Sequence, residues 1–138
     1  MADANQIPEV IDVSRLTQIF KKSANEIESL CNLIIKSVAK EFDLKVSDLK
    51  SNSRKQSIVM ARGVSVYLNR QLLGVSFLKI GSYLGNRDHS TIMHANRKIE
   101  KLISSESDTN DPDSSIRSVV FKLKQELTEK FASQVNFI

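Results

Sequence analysis

The sequence contains few of the residues that interrupt helices or cross-link a chain. Its 138 residues include four glycines, two prolines, one cysteine and no tryptophan. Because β-sandwiches and barrels need many glycine- and proline-rich turns, this scarcity favours an all-α fold. A single cysteine, Cys31, excludes an internal disulfide and a zinc site built from several cysteines. Aromatic residues, at 6%, supply few rings on which unpaired bases could stack.

Long apolar runs are missing as well. No stretch approaches the roughly 18 apolar residues that cross a bilayer. The first residues, MADANQIPEVIDV, contain no basic segment that leads into an apolar one. We therefore expect a cytoplasmic protein that neither spans a membrane nor is secreted. A hydrophobic share of 41% and a length of 138 residues suit one helical domain with short extensions.

Positive charge is concentrated in the middle of the chain. The formal net charge of the whole sequence is +4. Residues 50–103 carry ten basic and two acidic side chains, whereas the segments before and after them each carry two more acidic than basic side chains. This distribution suits a polyanionic partner, although a solvated helical surface with a chance excess of basic residues would have the same pattern.

Apolar residues recur at helical spacing along most of the chain. The polar residues 1–13 predict an N-terminal tail, and residues 14–138 predict one helical domain. The first amphipathic stretch is either one helix or two helices with a break near residues 23–25. The result is an all-α bundle of five or six helices, with helices predicted over 14–42, 54–73, 77–84, 89–104 and 115–133, a turn at 46–49 and a loop at 104–115.

Several residues are typical of helix ends and turns. Gly74 is placed to end the helix over 54–73, and Gly85 with Asn86 tolerates the positive φ that a tight reversal needs. Asp88 can cap the following helix by accepting hydrogen bonds from its first amides. Gly63, inside a predicted helix, costs about 1 kcal/mol relative to alanine, which indicates either close packing or simple tolerance.

The helices over 77–84 and 89–104 have the form of a helix-turn-helix, spanning about residues 76–104. On a helical wheel the apolar residues of the second helix lie within about 80° of Ile92. Ser90, His94, Arg97 and Lys101 lie within about 40° of the opposite pole. Such an outward face can meet base edges and phosphates in a major groove, whereas an ordinary bundle helix with a solvated face is the alternative.

The residues of this turn resemble a known signature. The run IGSYLGNRDHSTIMHA, residues 80–95, is similar to the pattern IGxxFGGRDHTTVxHA in the C-terminal DNA-binding domain of the DnaA family of bacterial replication initiators. Leu84 replaces an aromatic residue, Asn86 a glycine and Ser90 a threonine. Upstream, VSDLKS at 46–51, the basic pair at 54–55 and the pair at 61–62 are similar to the family's DLxS…Rx…ARQ, with Gly63 in place of glutamine. The resemblance covers about residues 30–135.

The resemblance implies an all-α domain that binds the nonameric DnaA box in double-stranded DNA. By position, Arg54 would lie at the N-terminus of its helix, where the family inserts an arginine into the minor groove and a cation reads groove width and A·T content. The turn and the start of the recognition helix would carry Arg87, Asp88, His89, Ser90 and Thr91, of which Asp88, His89 and Ser90 would lie nearest the bases. Phosphates would be held mainly by Arg62, Arg70, Lys79, His94 and Lys98.

Other functions are compatible with the sequence. The phosphate loop GxxxxGK[ST] is missing, so we expect no ATP binding by this chain, which would be a fragment or a stand-alone relative of the initiators. His89 and His94 are five residues apart and do not share a helix face, so no metal or other cofactor is predicted. One alternative is a transcription or mobile-element regulator with the same domain. Another is an adaptor that binds a protein partner through residues 1–42. No constellation of residues predicts an enzyme.

Overall fold

A computed structural model describes residues 24–104 and 113–135 of the chain, with side chains described over 24–104 and 116–133. This part of the chain contains helices and no strands, which confirms the predicted all-α class. The predicted tail, the first ten residues of the helix predicted from Ser14 and most of the predicted loop after Ser104 lie outside the described residues. The six described helices are α1 (Ala24–Glu41), α2 (Val46–Lys50), α3 (Gln56–Leu73), α4 (Phe77–Tyr83), α5 (His89–Ser104) and α6 (Asp113–Val135).

Several helix boundaries differ from the prediction, and α1 and α4 each end one residue earlier than predicted. The predicted turn at 46–49 is the short helix α2, whose first turn is closed when the Lys45 amide donates to Oδ2 of Asp48 at 2.9 Å. α3 begins at Gln56 rather than at Arg54, because the hydroxyl of Ser53 accepts from the amide of Lys55 and supports an extended segment there. α6 is longer than predicted by two residues at each end.

Helix α3 lies at the centre of the bundle and packs against the other five described helices, α1, α2, α4, α5 and α6. One stripe of the helix is buried, at Ile58, Ala61, Val64, Ser65, Leu68 and Leu72. The helix is also buried beyond that stripe, at Val66, Asn69 and Leu73, because neighbouring helices surround it. Its N-terminal end and its C-terminal end, capped at Gly74 with φ of 65°, both lead to the candidate site.

Close packing explains Gly63. A methyl group added at this position would lie 3.1 Å from Cγ1 of Ile99, on the buried face of α5. The glycine therefore lets α3 and α5 approach closely, which decides between the two explanations left open by the sequence.

Among the described helices, none is long and apolar enough to span a membrane.

Cys31 is a fully buried core residue of α1. Burial, assisted by the negative charge of Glu28, raises the pKa of its thiol from 9.0 to about 12. In the folded protein the thiol therefore stays protonated at pH values at which the unfolded chain ionises. Its contribution to stability is complete below pH 9 and is lost as the pH rises towards 12.

We expect this group alone to lower the free energy of unfolding by about 1 kcal/mol between pH 9 and 10. Urea unfolding of the protein and of Cys31→Ala at pH 8, 9 and 10 measures the effect as a difference in slope. Tyr67, whose pKa burial also raises, is present in both proteins and cancels in the comparison, whereas the ionisation of Tyr83 is coupled to the charge of Cys31 and is part of the measured difference. Equal losses of stability in the two proteins would contradict the assignment.

Candidate nucleic-acid interface

A tight turn joins α4 to α5 and sets the angle between them. Gly85 and Asn86 adopt positive φ of 83° and 58°, as their residue types predicted. The amide of Arg87 then donates to the carbonyl oxygen of Gly81 at 3.0 Å, which folds the turn back onto α4. A methyl group at Gly81 would overlap the carbonyl oxygen of Arg87, so only glycine allows this approach. The segment is a helix-turn-helix, as predicted.

Asp88 caps α5, which confirms the predicted capping role. Its Oδ2 accepts from the amide of Ser90 at 3.0 Å, and its carbonyl oxygen accepts from the amide of Ile92 at 3.1 Å. Oδ1 lies 3.9 Å from Nδ1 of His89, and the two side chains are 67% and 57% exposed. The cap therefore orders the start of α5 while leaving both side chains at the surface.

The outward face of α5 is exposed along the whole helix, as the helical wheel predicted. Its hydrogen-bonding and cationic side chains are exposed at Ser90, His94, Arg97, Lys98 and Lys101. His89 and Thr91 in the first turn are exposed as well, although His89 lies only about 60° from Ile92 on the wheel. On the opposite face Ile92 and Ile99 are buried. Asn96 is also buried, only about 40° from Ile92 on the wheel, and its position could have been predicted from that angle.

Arg70 reaches the same surface from the last turn of α3. Its guanidinium lies over the ring of Phe77, 4.6 Å from the centroid, and donates to the carbonyl oxygen of Val75 at 3.1 Å. Together with Arg97 it lines a cleft beside α5, which also includes Met93. The structure therefore brings Arg70 close to the outward face of α5.

Lys79, on α4, does not line this cleft. Its side chain is exposed, and its positive charge acts on Cys31 in α1, which places it towards that helix. Arg54 is exposed in the extended segment between α2 and α3. Arg54 therefore precedes α3, whereas the sequence predicted it as the first residue of that helix. Its side chain extends from a stretch of non-helical backbone.

Arg62, by contrast, points its guanidinium at the backbone of its own domain. Nε donates to the carbonyl oxygen of Leu49 at 2.9 Å, and Nη2 donates to those of Ser51 at 3.0 Å and Ser53 at 3.2 Å. Nη2 of Arg87 donates to the same carbonyl oxygen of Ser51. The sequence contains no local signal for these contacts, because the partners are 9 to 36 residues apart.

The two guanidiniums are partly withdrawn from water. Burial lowers the pKa of both Arg62 and Arg87, and the positive charge of Arg87 lowers that of Arg62 further. Nε of Arg87 is buried without a hydrogen-bond partner. Among the described residues, no three His, Cys, Asp or Glu side chains meet in a way that could hold a metal ion. The chemistry of this surface is therefore that of cations and hydrogen-bond donors.

Comparison with known proteins also identifies a helix-turn-helix domain in this chain. A family model described as "Bacterial dnaA protein helix-turn-helix" matches residues 31–99. The chromosomal replication initiator protein DnaA of Geotalea daltonii is 40% identical over 95 residues, which cover 69% of this chain and 20% of that protein. DnaA of Clavibacter sepedonicus is 47% identical over 70 residues, covering 51% of this chain and 15% of that protein. The chain thus spans about a fifth of the length of these relatives or less.

A solved structure shares the fold. The crystal structure of a DNA replication initiation factor superposes with a TM-score of 0.67, covering 85% of this chain and 35% of that one. The sequence identity in this comparison is 21%. The arrangement of helices around α3 is therefore that of a solved fold.

Proposed function

This chain belongs to the helix-turn-helix family of bacterial DnaA proteins, and from that membership we propose that it binds double-stranded DNA sequence-specifically at sites of the DnaA-box type. The proposed binding is linked to the initiation of chromosomal replication or to its regulation. The names of the relatives describe replication initiators of which this chain spans about a fifth, so the link rests on the shared domain. A location with the nucleoid in the cytoplasm belongs to the same proposal.

The observation that carries the proposal is the surface formed by the capped start and the outward face of α5. Asp88 orders the first turn through the Ser90 amide, and small or planar side chains follow at once in His89, Ser90 and Thr91. Side chains of this size let a helix end approach base edges in a major groove. Longer cations further along the helix are placed to reach phosphates.

Each exposed side chain then has a role in the proposal. Asp88, His89 and Ser90 lie nearest the bases, where a carboxylate accepts from the amino group of cytosine. Arg54 enters the minor groove from its extended segment. Around this centre Arg70, His94 and Lys98 hold phosphates and fix the register on the duplex, and Lys79 contacts a phosphate from another side of α4.

A fluorescent duplex with a single DnaA box, compared with a scrambled duplex of the same composition, tests the proposal. At physiological salt we expect the boxed duplex to bind about a thousandfold more tightly, which is at the lower end for specific DNA-binding proteins. Anisotropy titrations at several salt concentrations measure both affinities. Equal affinity for the two duplexes would contradict sequence-specific binding, and a failure to bind either would contradict DNA binding altogether.

Lys98→Ala separates phosphate contacts from base contacts. Lys98 is exposed and lies in the middle of α5, so its removal leaves the core intact. We expect weaker binding to boxed and scrambled duplexes alike, with the slope of log K against log salt flattened by about one unit. A loss confined to the boxed duplex would instead assign Lys98 to base recognition.

A further inference from the structure

We propose that Arg62 and Arg87 are positioning residues that fasten the Arg54 segment to the helix-turn-helix, so that both DNA-contacting elements meet a duplex in one fixed arrangement. We call these two side chains and the carbonyl oxygen of Ser51 the arginine bracket. The inference rests on the proposed DNA binding. It assigns to two arginines an indirect role, although their residue type and the family resemblance suggest direct contact with DNA.

The bracket joins three parts of the chain at one atom. Arg62 comes from α3 and Arg87 from the turn of the helix-turn-helix, and both donate to the carbonyl oxygen of Ser51, just beyond α2. Arg62 additionally holds the carbonyl oxygens of Leu49 and Ser53, on either side of Ser51. The backbone that leads to Arg54 is therefore held by side chains that belong to the recognition surface and its supporting helix.

A backbone contact reinforces the bracket. At the first residue of the reversal, Gly85 packs so closely on Lys50 that an added methyl group would overlap the Lys50 carbonyl oxygen. The end of α2 and the helix-turn-helix turn therefore touch one residue before Ser51. This contact leaves little freedom for the bracketed segment to move relative to α5.

Hydrogen bonds within the segment transmit the position of Ser51 towards Arg54. The hydroxyl of Ser51 donates to the carbonyl oxygen of Asp48 at 2.6 Å and accepts from the amide of Ser53 at 3.2 Å. The hydroxyl of Ser53 accepts in turn from the amide of Lys55 at 3.1 Å. These bonds flank Arg54 on both sides, so fixing Ser51 also limits where the Arg54 side chain can begin.

The two positive charges of the bracket indicate that Arg62 and Arg87 do more than fill space in the protein. Two like charges converge on one carbonyl oxygen, and both lie partly out of water, which is costly. Three hydrogen bonds from Arg62 and one from Arg87 to backbone carbonyl oxygens offset part of that cost, while Nε of Arg87 stays without a partner. The gain for binding is preorganisation, because a segment already ordered in the free protein does not lose its conformational freedom when DNA binds.

A positioning role for Arg87 and a direct contact of Arg87 with a phosphate predict different results. If Arg87 acted by its charge on a phosphate, Arg87→Lys would keep most of its effect, and its contribution would be independent of Arg54. If Arg87 acts through the bracket, lysine cannot reproduce the directed guanidinium, and the benefit of Arg54 falls because its segment is no longer fixed. The two mechanisms are therefore distinguished by a double-mutant cycle between positions 54 and 87.

The experiment measures the affinity of the full chain for a boxed duplex with Arg54→Ala and Arg87→Lys, singly and together. We expect Arg87→Lys to weaken binding about tenfold without changing the salt slope, and Arg54→Ala to cost several-fold less in that background than in the original protein. Lys98→Gln, outside the bracket, is the control, and with it the cost of Arg54→Ala should stay unchanged. Additive effects of the Arg54 and Arg87 substitutions would overturn the proposal.

A second measurement needs no DNA. In the free protein the amides of Ser53 and Lys55 should be protected from hydrogen exchange, and Arg87→Lys or Arg62→Lys should remove that protection while the core amides stay protected. Lack of protection in the unmodified protein overturns the bracket even if a variant fails to fold. If the unmodified protein fails to prefer a boxed duplex, the proposed function fails, whereas the exchange result still decides on the bracket.

Discussion

Replacing His89 and Ser90 together by alanine is expected to lower affinity for a boxed duplex about a hundredfold and to leave affinity for a scrambled duplex almost unchanged. Contacts to base edges are worth about 1–3 kcal/mol each, and only the correct sequence offers them. Binding to scrambled DNA depends on phosphates, which the cations further along α5 still contact in the double variant. Specificity should therefore fall while non-specific affinity stays.

The structure allows this double substitution to be made without harm to α5. Both side chains are exposed, and the hydrogen bond that caps the helix uses the backbone amide of Ser90, which alanine retains. Alanine also has the most favourable helix propensity. A change in binding would then reflect lost side-chain contacts rather than a lost helix, and a circular dichroism melt checks that the fold is kept.

Anisotropy titrations with the two duplexes at one salt concentration give the ratio of affinities directly. Ser104→Ala is the matched control, because Ser104 is an exposed serine at the far end of the same helix. It should leave the ratio as it is in the original protein. If the His89 and Ser90 double variant kept the original ratio, base recognition would have to be assigned to another part of the surface.

The recognition helix could be predicted from sequence because its determinants are local. The Asp88 cap, the apolar period through Ile92 and Ile99, and the reversal at Gly85 and Asn86 all act within a few residues. The predicted bounds of 89–104 coincide with those of α5 for this reason. Nearby, α3 begins two residues later than predicted, because hydroxyl groups that accept from backbone amides oppose helix formation at 51–55.

The arginine bracket could not be predicted, because it depends on the path of the chain in space. Arg87 and its acceptor Ser51 are 36 residues apart, and the sequence gives no reason to choose a carbonyl oxygen over a phosphate for either guanidinium. The burial of α3 on nearly all sides has the same origin. Its sequence shows one apolar stripe, whereas five neighbouring helices determine how much more of it is covered.

Gly81→Ala is expected to destabilise the protein by about 3 kcal/mol, the upper end of the range for overpacking a tight contact. In an ordinary helix the same change would stabilise, by about 1 kcal/mol, so the sign of the effect identifies the contact. The new methyl group would overlap the carbonyl oxygen of Arg87. The methyl carbon is bonded directly to Cα and the oxygen is a backbone atom, so no side chain can rotate to make room.

Relief of this overlap requires the turn to move away from α4. That movement would stretch the hydrogen bond from the Arg87 amide to the Gly81 carbonyl oxygen, now 3.0 Å, and would carry Arg87 away from Ser51. Urea unfolding measures the loss of stability, and Gly63→Ala is the control, since its methyl group would meet the side chain of Ile99 at 3.1 Å, which can shift. We expect the control to change stability by no more than about 1 kcal/mol. If Gly81→Ala were as stable as the original protein, the turn could not be packed on α4 as tightly as the structure has it, and the fixed angle of the recognition helix would need another cause.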